Sequence, residues 1–136
     1  MSDFKPIVRL MKARYHLRIR RWRRQMSGCA WSVHYADGRV INWIEAPRPK
    51  TPISLAVFLH EVGHHAIGFE RYSLRCEEEY HVWVWALKQM RQFGVEPNAA
   101  VLSRFERSMR YAVGQALRRG QTHLPPPLHR FIPAAA

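Results

Sequence analysis

Acidic residues and cysteines are scarce in this 136-residue chain: 10 Asp and Glu stand against 22 Lys and Arg, and there are 2 Cys. The shortage of acid leaves a formal charge of +12, which favours acidic partners such as nucleic acid, an anionic membrane surface or an acidic protein. Cys29 and Cys76 form no CxxC pair and no disulfide framework, and are expected as reduced thiols. The opening MSDFKPIVRLMKAR lacks the apolar centre of a signal peptide. No apolar run approaches the roughly 20 residues of a membrane span, so a cytoplasmic protein without a membrane partner is expected. No internal repeat appears either, which excludes a solenoid. What is present is 47% hydrophobic residues, enough for one compact domain and too few residues for two.

The pattern predicts an α+β fold, a small antiparallel sheet packed on a few helices. A basic N-terminal segment, about residues 5–26, carries Val8, Met11, Tyr15, Ile19, Trp22 and Met26 at helical spacing with arginines between. Its YHLRIRRW stretch also alternates, so a short strand is the other reading of its last turns. AWSVHYADGRVINWI reads as a hairpin over about 30–45, because Asp37-Gly38 suits a turn that needs positive φ. APRPKTP is a loop. Helices are expected over about 52–69, 74–93 and 97–119, the last two followed by Gly94 and Gly120. Residues 1–120 would form the single domain and the proline-rich 121–136 an extended arm.

The helix over 52–69 poses the chemical question. It is apolar nearly all round, with Leu55, Phe58, Leu59, Val62, Ala66 and Phe69 on one side and Ile53 and Val57 on the other. Yet it also carries His60, Glu61 and His64. A buried carboxylate beside buried imidazoles costs several kcal/mol unless the groups are paired or bind a metal. His60 and His64, at i and i+4, lie one above the other and can reach one ion, with Glu61 beside them. This is the HExxH arrangement, His60-Glu61-Val62-Gly63-His64. Gly63 costs about 1 kcal/mol of helix propensity relative to Ala, which implies that another backbone passes close by.

A catalytic zinc takes three protein ligands and keeps one position open, so a third ligand is sought among Glu77, Glu78 and Glu79. On the wheel of the next helix Glu79 falls among Cys76, Val82, Trp83, Ala86, Met90 and Phe93, the core-facing stripe. Glu78 lies toward His81, Gln89 and Gln92, and Glu77 toward Lys88 and Arg91. Both are expected on a solvated face. His65 and His81 are expected to be ordinary helix residues, Cys76 a small buried thiol, and Trp83 and Trp85 core.

His60-Glu61-Val62-Gly63-His64, followed by Glu79-Tyr80-His81-Val82-Trp83-Val84-Trp85-Ala86, resembles the ImmA/IrrE-like metallopeptidases of bacteria, their phages and mobile elements. The resemblance covers about residues 30–90. It implies a zincin-like core with Zn2+ on His60, His64 and Glu79, the last matching the family's third ligand. It also implies Glu61 as general base in hydrolysis of a peptide bond. The partner would be a protein substrate, a repressor-like regulator among them, and the strand from Arg39 to Ile44 could pair with an extended substrate.

A different class of function rests on Arg18, Arg20, Arg21, Arg23 and Arg24 around Trp22, a basic patch able to contact several phosphates of a nucleic acid. The two readings can coexist in a basic peptidase recruited to DNA-bound regulators. A zinc protein without activity is the third possibility.

Overall fold

The computed structural model describes residues 3–134. Helix α1 (Lys5–Tyr15) leads into strand β1 (Leu17–Arg23), and β2 (Cys29–His34) and β3 (Val40–Pro47) follow as a hairpin. Then come α2 (Pro52–Ile67), α3 (Arg75–Gln92), α4 (Ala99–Arg118) and a 3-10 helix (Pro126–Phe131). The class is α+β, with a small three-stranded sheet and several helices. Among the described residues no helix is long and apolar enough to cross a membrane.

The sheet is mixed rather than antiparallel, in the order β1-β3-β2. β2 and β3 pair antiparallel as a hairpin, turning through Gly38 at φ 92°, whereas β1 pairs with β3 in parallel. The helical reading of the N-terminal segment holds only as far as Tyr15. There His16 adopts a left-handed conformation (φ 53°), its N–H donates to the Lys12 carbonyl, and the chain enters β1. A register shift explains why β1 imitates a helix in the sequence. Ile19 pairs with Ile44 and Arg21 with Glu45, leaving Arg20 as an extra residue. That bulge flips the side-chain parity, so Trp22 packs on the same core as Leu17 and Ile19. The apolar spacing of three that results is the spacing of a helix.

β3 is the central strand, with Ile44 and Ala46 fully buried in the core. Helix α2 is buried along most of its length, from Ser54 to His64 apart from His60, as its apolar circumference demands. Its start is fixed by a capping box: Thr51 accepts from the Ser54 N–H and the Ser54 hydroxyl accepts from the Thr51 N–H. Pro52 stands in the first turn, where no N–H is required. The proline-rich tail is not an extended arm. Its 3-10 helix buries Leu128 and Phe131, and Phe131 meets Phe105 of α4 edge to face, at 5.7 Å between centroids. Burying each of these two side chains contributes about 1.5–3 kcal/mol, which is why the tail returns to the core.

The passing backbone that Gly63 calls for is α3. A Cβ built on Gly63 would lie 2.9 Å from Val82 Cγ1, 3.1 Å from Trp85 Cε3 and 3.3 Å from the Val82 carbonyl oxygen. Gly63→Ala is therefore expected to destabilise the fold by about 1–3 kcal/mol through overpacking, outweighing the roughly 1 kcal/mol gained in helix propensity. Chemical denaturation measures it, and a variant as stable as the parent would count against a close seam.

Candidate metal centre

The α2–α3 seam brings together the titratable residues that the sequence separates. His60 Nε2 lies 2.7 Å from Glu79 Oε2, and His64 Nε2 lies 3.3 Å from Glu79 Oε1. One carboxylate thus faces the outer nitrogens of both imidazoles. Ligand atoms of His60, His64 and Glu79 all lie within 4.8 Å of one another, so the group could hold a metal ion. The donor set fits: two imidazole nitrogens and a carboxylate oxygen leave room for a further ligand in a four-coordinate site.

The adjoining side chains orient this set. Glu78, expected on a solvated face, is instead buried, and its Oε2 lies 3.1 Å from His64 Nδ1. A carboxylate on Nδ1 fixes the imidazole tautomer that turns Nε2 toward the ion. Adjacent residues on a helix stand about 100° apart, so Glu78 and Glu79 straddle the seam and reach opposite nitrogens of His64. A wheel of α3 alone cannot reveal that, because it does not say how wide a sector α2 covers. Trp83 lays its indole 4.6 Å from the His60 ring, and its buried N–H has no partner among the described residues.

Glu61 is buried on the wall of a cleft of about 280 Å³ that it shares with His60, His64 and Glu79. Its Oε2 lies 3.2 Å from His60 Nδ1. The connection into β2 and the first residues of that strand, Ser27 to Ala30, also line the cleft. Gly28 crosses directly over the carboxylate, where a Cβ would lie 2.8 Å from Glu61 Cγ and 2.5 Å from the Glu45 carbonyl oxygen. That glycine was not singled out from the sequence, and its role exists only because two remote segments meet there. Arg104 of α4 also lines the cleft and donates to the Met26 carbonyl, tying α4 to this connection.

The remaining candidates are engaged elsewhere. His65 turns to the sheet, its Nε2–H donating to the Trp43 carbonyl at 2.9 Å, and burial pushes its pKa down. His81 stacks on Tyr72 at 4.4 Å. Cys76 is buried, and burial raises its thiol pKa. Of the basic patch, Arg20 and Arg23 hydrogen-bond Glu45 at 2.7 and 2.9 Å and Arg21 approaches it at 3.7 Å. Hydrogen bonds from Arg20, then Arg23, lower the Glu45 pKa. Arg18 and Arg24 stay exposed.

Both His60 nitrogens face carboxylates, which suits an imidazolium that donates from each. Burial by itself would lower the His60 pKa, but its hydrogen bonds to Glu61 and Glu79 overcome this and raise it from 6.5 to about 9. Burial likewise opposes the charge on Glu79, yet His60 and His64 hold it well below its usual 4.5. A raised histidine pKa stabilises fully below pH 6.5 and loses that contribution as pH rises through about 9. A lowered carboxylate pKa stabilises fully above pH 4.5 and loses it on acidification. The metal-free protein should therefore gain most from this cluster between pH 4.5 and 6.5 and lose stability toward pH 9. Melting curves across that range test it, and a flat Tm from pH 6.5 to 9 in the parent would contradict a charged His60. Glu78→Ala is expected to weaken metal binding about 10- to 100-fold, through loss of the His64 partner, and Glu79→Ala to weaken it further. Competition against a chelating dye would read both. No protein-family model, curated protein or solved structure matches this chain.

Proposed function

We propose that this protein is a zinc-dependent endopeptidase with a zincin-like core, similar to the ImmA/IrrE-like metallopeptidases. The observation that carries the reading is the convergence of His60, His64 and Glu79 on one point beside Glu61, in a cleft bordered by an edge strand. His60, His64 and Glu79 would hold the ion. Zinc held there would supply Lewis-acid polarisation of the scissile carbonyl and would bring the pKa of a water down toward about 7. Glu61 accepts the proton of the attacking water on its carboxylate and delivers it to the leaving amine. A buried carboxylate at a cleft wall suits that transfer, because little competing solvent surrounds it. Glu78 keeps His64 in the ligating tautomer, and the Trp83 indole packed on His60 limits the swing of that ring.

The strand that would receive substrate differs from the one first expected. β3, which contains Val40 to Ile44, is the central strand, flanked by β2 and, from Asn42 onward, by β1. The edge strands are β1 and β2, and of the two it is β2 whose first residues line the cleft. Tyr35 donates to the Arg39 carbonyl, so alternation along the ladder turns the N–H groups of Ala30 and Ser32 outward. An extended peptide added there has its backbone held alongside the metal centre.

Elemental mass spectrometry is expected to find about one zinc per chain. Glu61→Gln should retain that zinc and lower peptide cleavage by about 10²–10⁴, the usual worth of a general base. Retained zinc with unchanged cleavage would remove Glu61 from the chemistry, and zinc without cleavage by the parent of any peptide in a mixed library would make this a non-catalytic zinc protein. Ala30→Pro removes one outward donor at an edge strand, where proline is tolerated. It should lower kcat/KM about tenfold or more with zinc content unchanged, a loss on the order of one or two backbone hydrogen bonds.

A further inference from the structure

A second, larger cavity adjoins the cleft. It is a groove of about 930 Å³ between the start of α3 and one face of α4, and it shares Arg75, Glu79, Arg104 and Ser108 with the metal centre. Its size is that of a ligand site, and its contents are one-sided. Arg75, Arg104, Arg107 and Arg119 line it, and its one carboxylate is Glu79, already facing His60 and His64.

Arg75 pairs with Glu79 at 3.2 Å, whereas the other three arginines of the groove have no such partner among the described residues. Glu106, on another face of α4, pairs with Arg110 and Arg130, and Glu45 takes the arginines of β1. Arg107 and Arg119 are exposed and have no ion pair among the described residues. Arg104 is half-buried, and burial, then the neighbouring Arg107 charge, depresses its pKa. An anion in the groove relieves that repulsion.

The groove is also linear. Along α4 it runs from Arg104 through Arg107, Tyr111 and Gln115 to Arg119, the residue that caps the helix. At 1.5 Å per residue that run is about 22 Å long, the length of roughly six or seven residues of extended peptide. We propose that this groove is a recognition subsite for an acidic, carboxylate-bearing stretch of the peptide substrate, leading into the metal centre past Arg75 and Arg104. This rests on the peptidase reading. Direct continuity with the proposed catalytic cleft favours a peptide over a nucleic acid as the occupant.

The test uses the zinc-loaded full chain carrying Glu61→Gln, and a fluorescein-labelled octapeptide of alternating Glu and Ala beside its Gln counterpart. Fluorescence anisotropy should show the Glu peptide binding at least about tenfold tighter, with the preference falling as salt rises. Adding Arg107→Glu and Arg119→Glu should abolish the preference while zinc content and Tm stay those of the parent. If that pair fails to fold, Arg107→Gln with Arg119→Gln reads the same loss. Equal binding of the two peptides, or a preference untouched by these substitutions, overturns the proposal. Tighter binding of a single-stranded DNA octamer, dependent on the same two arginines, overturns it in favour of nucleic acid. Cleavage of a peptide library by the parent separates this from the reading it rests on. Cleavage without enrichment of Asp or Glu near the scissile bond sinks the groove alone, and selective binding without any cleavage sinks the peptidase reading alone.

Discussion

The close approach of α3 to α2 at Gly63 is the contact on which the candidate metal centre depends. With Val82 and Trp85 already inside ordinary Cβ contact distance, the two helices meet at a separation that only glycine permits. One turn away, that separation lets a glutamate of α3 reach both histidines of α2. Widening the seam by a methyl group would lengthen those contacts as well. Packing and chemistry are thus one constraint, which accounts for a costly glycine in the middle of a buried helix.

Four of the 10 acidic residues of this strongly basic chain lie where burial makes them effective. Glu45, Glu61 and Glu78 are buried, and Glu79 is nearly so. Each faces a cation or an imidazole, so none bears the full penalty of desolvation. Without an ion, a charged His60 lies between the Glu61 carboxylate and the ionised Glu79. A metal cation meets the same carboxylates once the His60 proton leaves, so the apo cluster is preorganised and its metal affinity should rise with pH. The surface left behind is rich in arginine, and the groove along α4 gathers Arg104, Arg107 and Arg119.

Much of the site was legible in the sequence because it lies on two helices, and helical spacing is a local property. His60, Glu61 and His64 share a sector of α2 by their i, i+1 and i+4 positions, and Glu79 falls on the inward stripe of α3. Glu78 was misplaced because a wheel divides a helix into core and solvent without saying how much of it a partner covers. The strand β1 was half-hidden because its bulge at Arg20 converts an alternation of two into a spacing of three. The tail was read as an arm because prolines exclude an ordinary helix and strand, yet a short 3-10 helix still carries Leu128 and Phe131 inward.

Sequence by itself determined the three long helices, the Asp37-Gly38 turn and three side chains, His60, His64 and Glu79, that form a group able to hold a metal ion. All of these follow from interactions within about one or two turns of chain. Only the tertiary structure decided that the sheet is mixed, that β3 is central and β2 brings an edge to the cleft, that Glu78 supports His64, and that Gly28 passes over Glu61. Each depends on which remote segments come into contact. Strand order and helix seams are set by burial summed over the whole chain, a quantity that no local pattern contains.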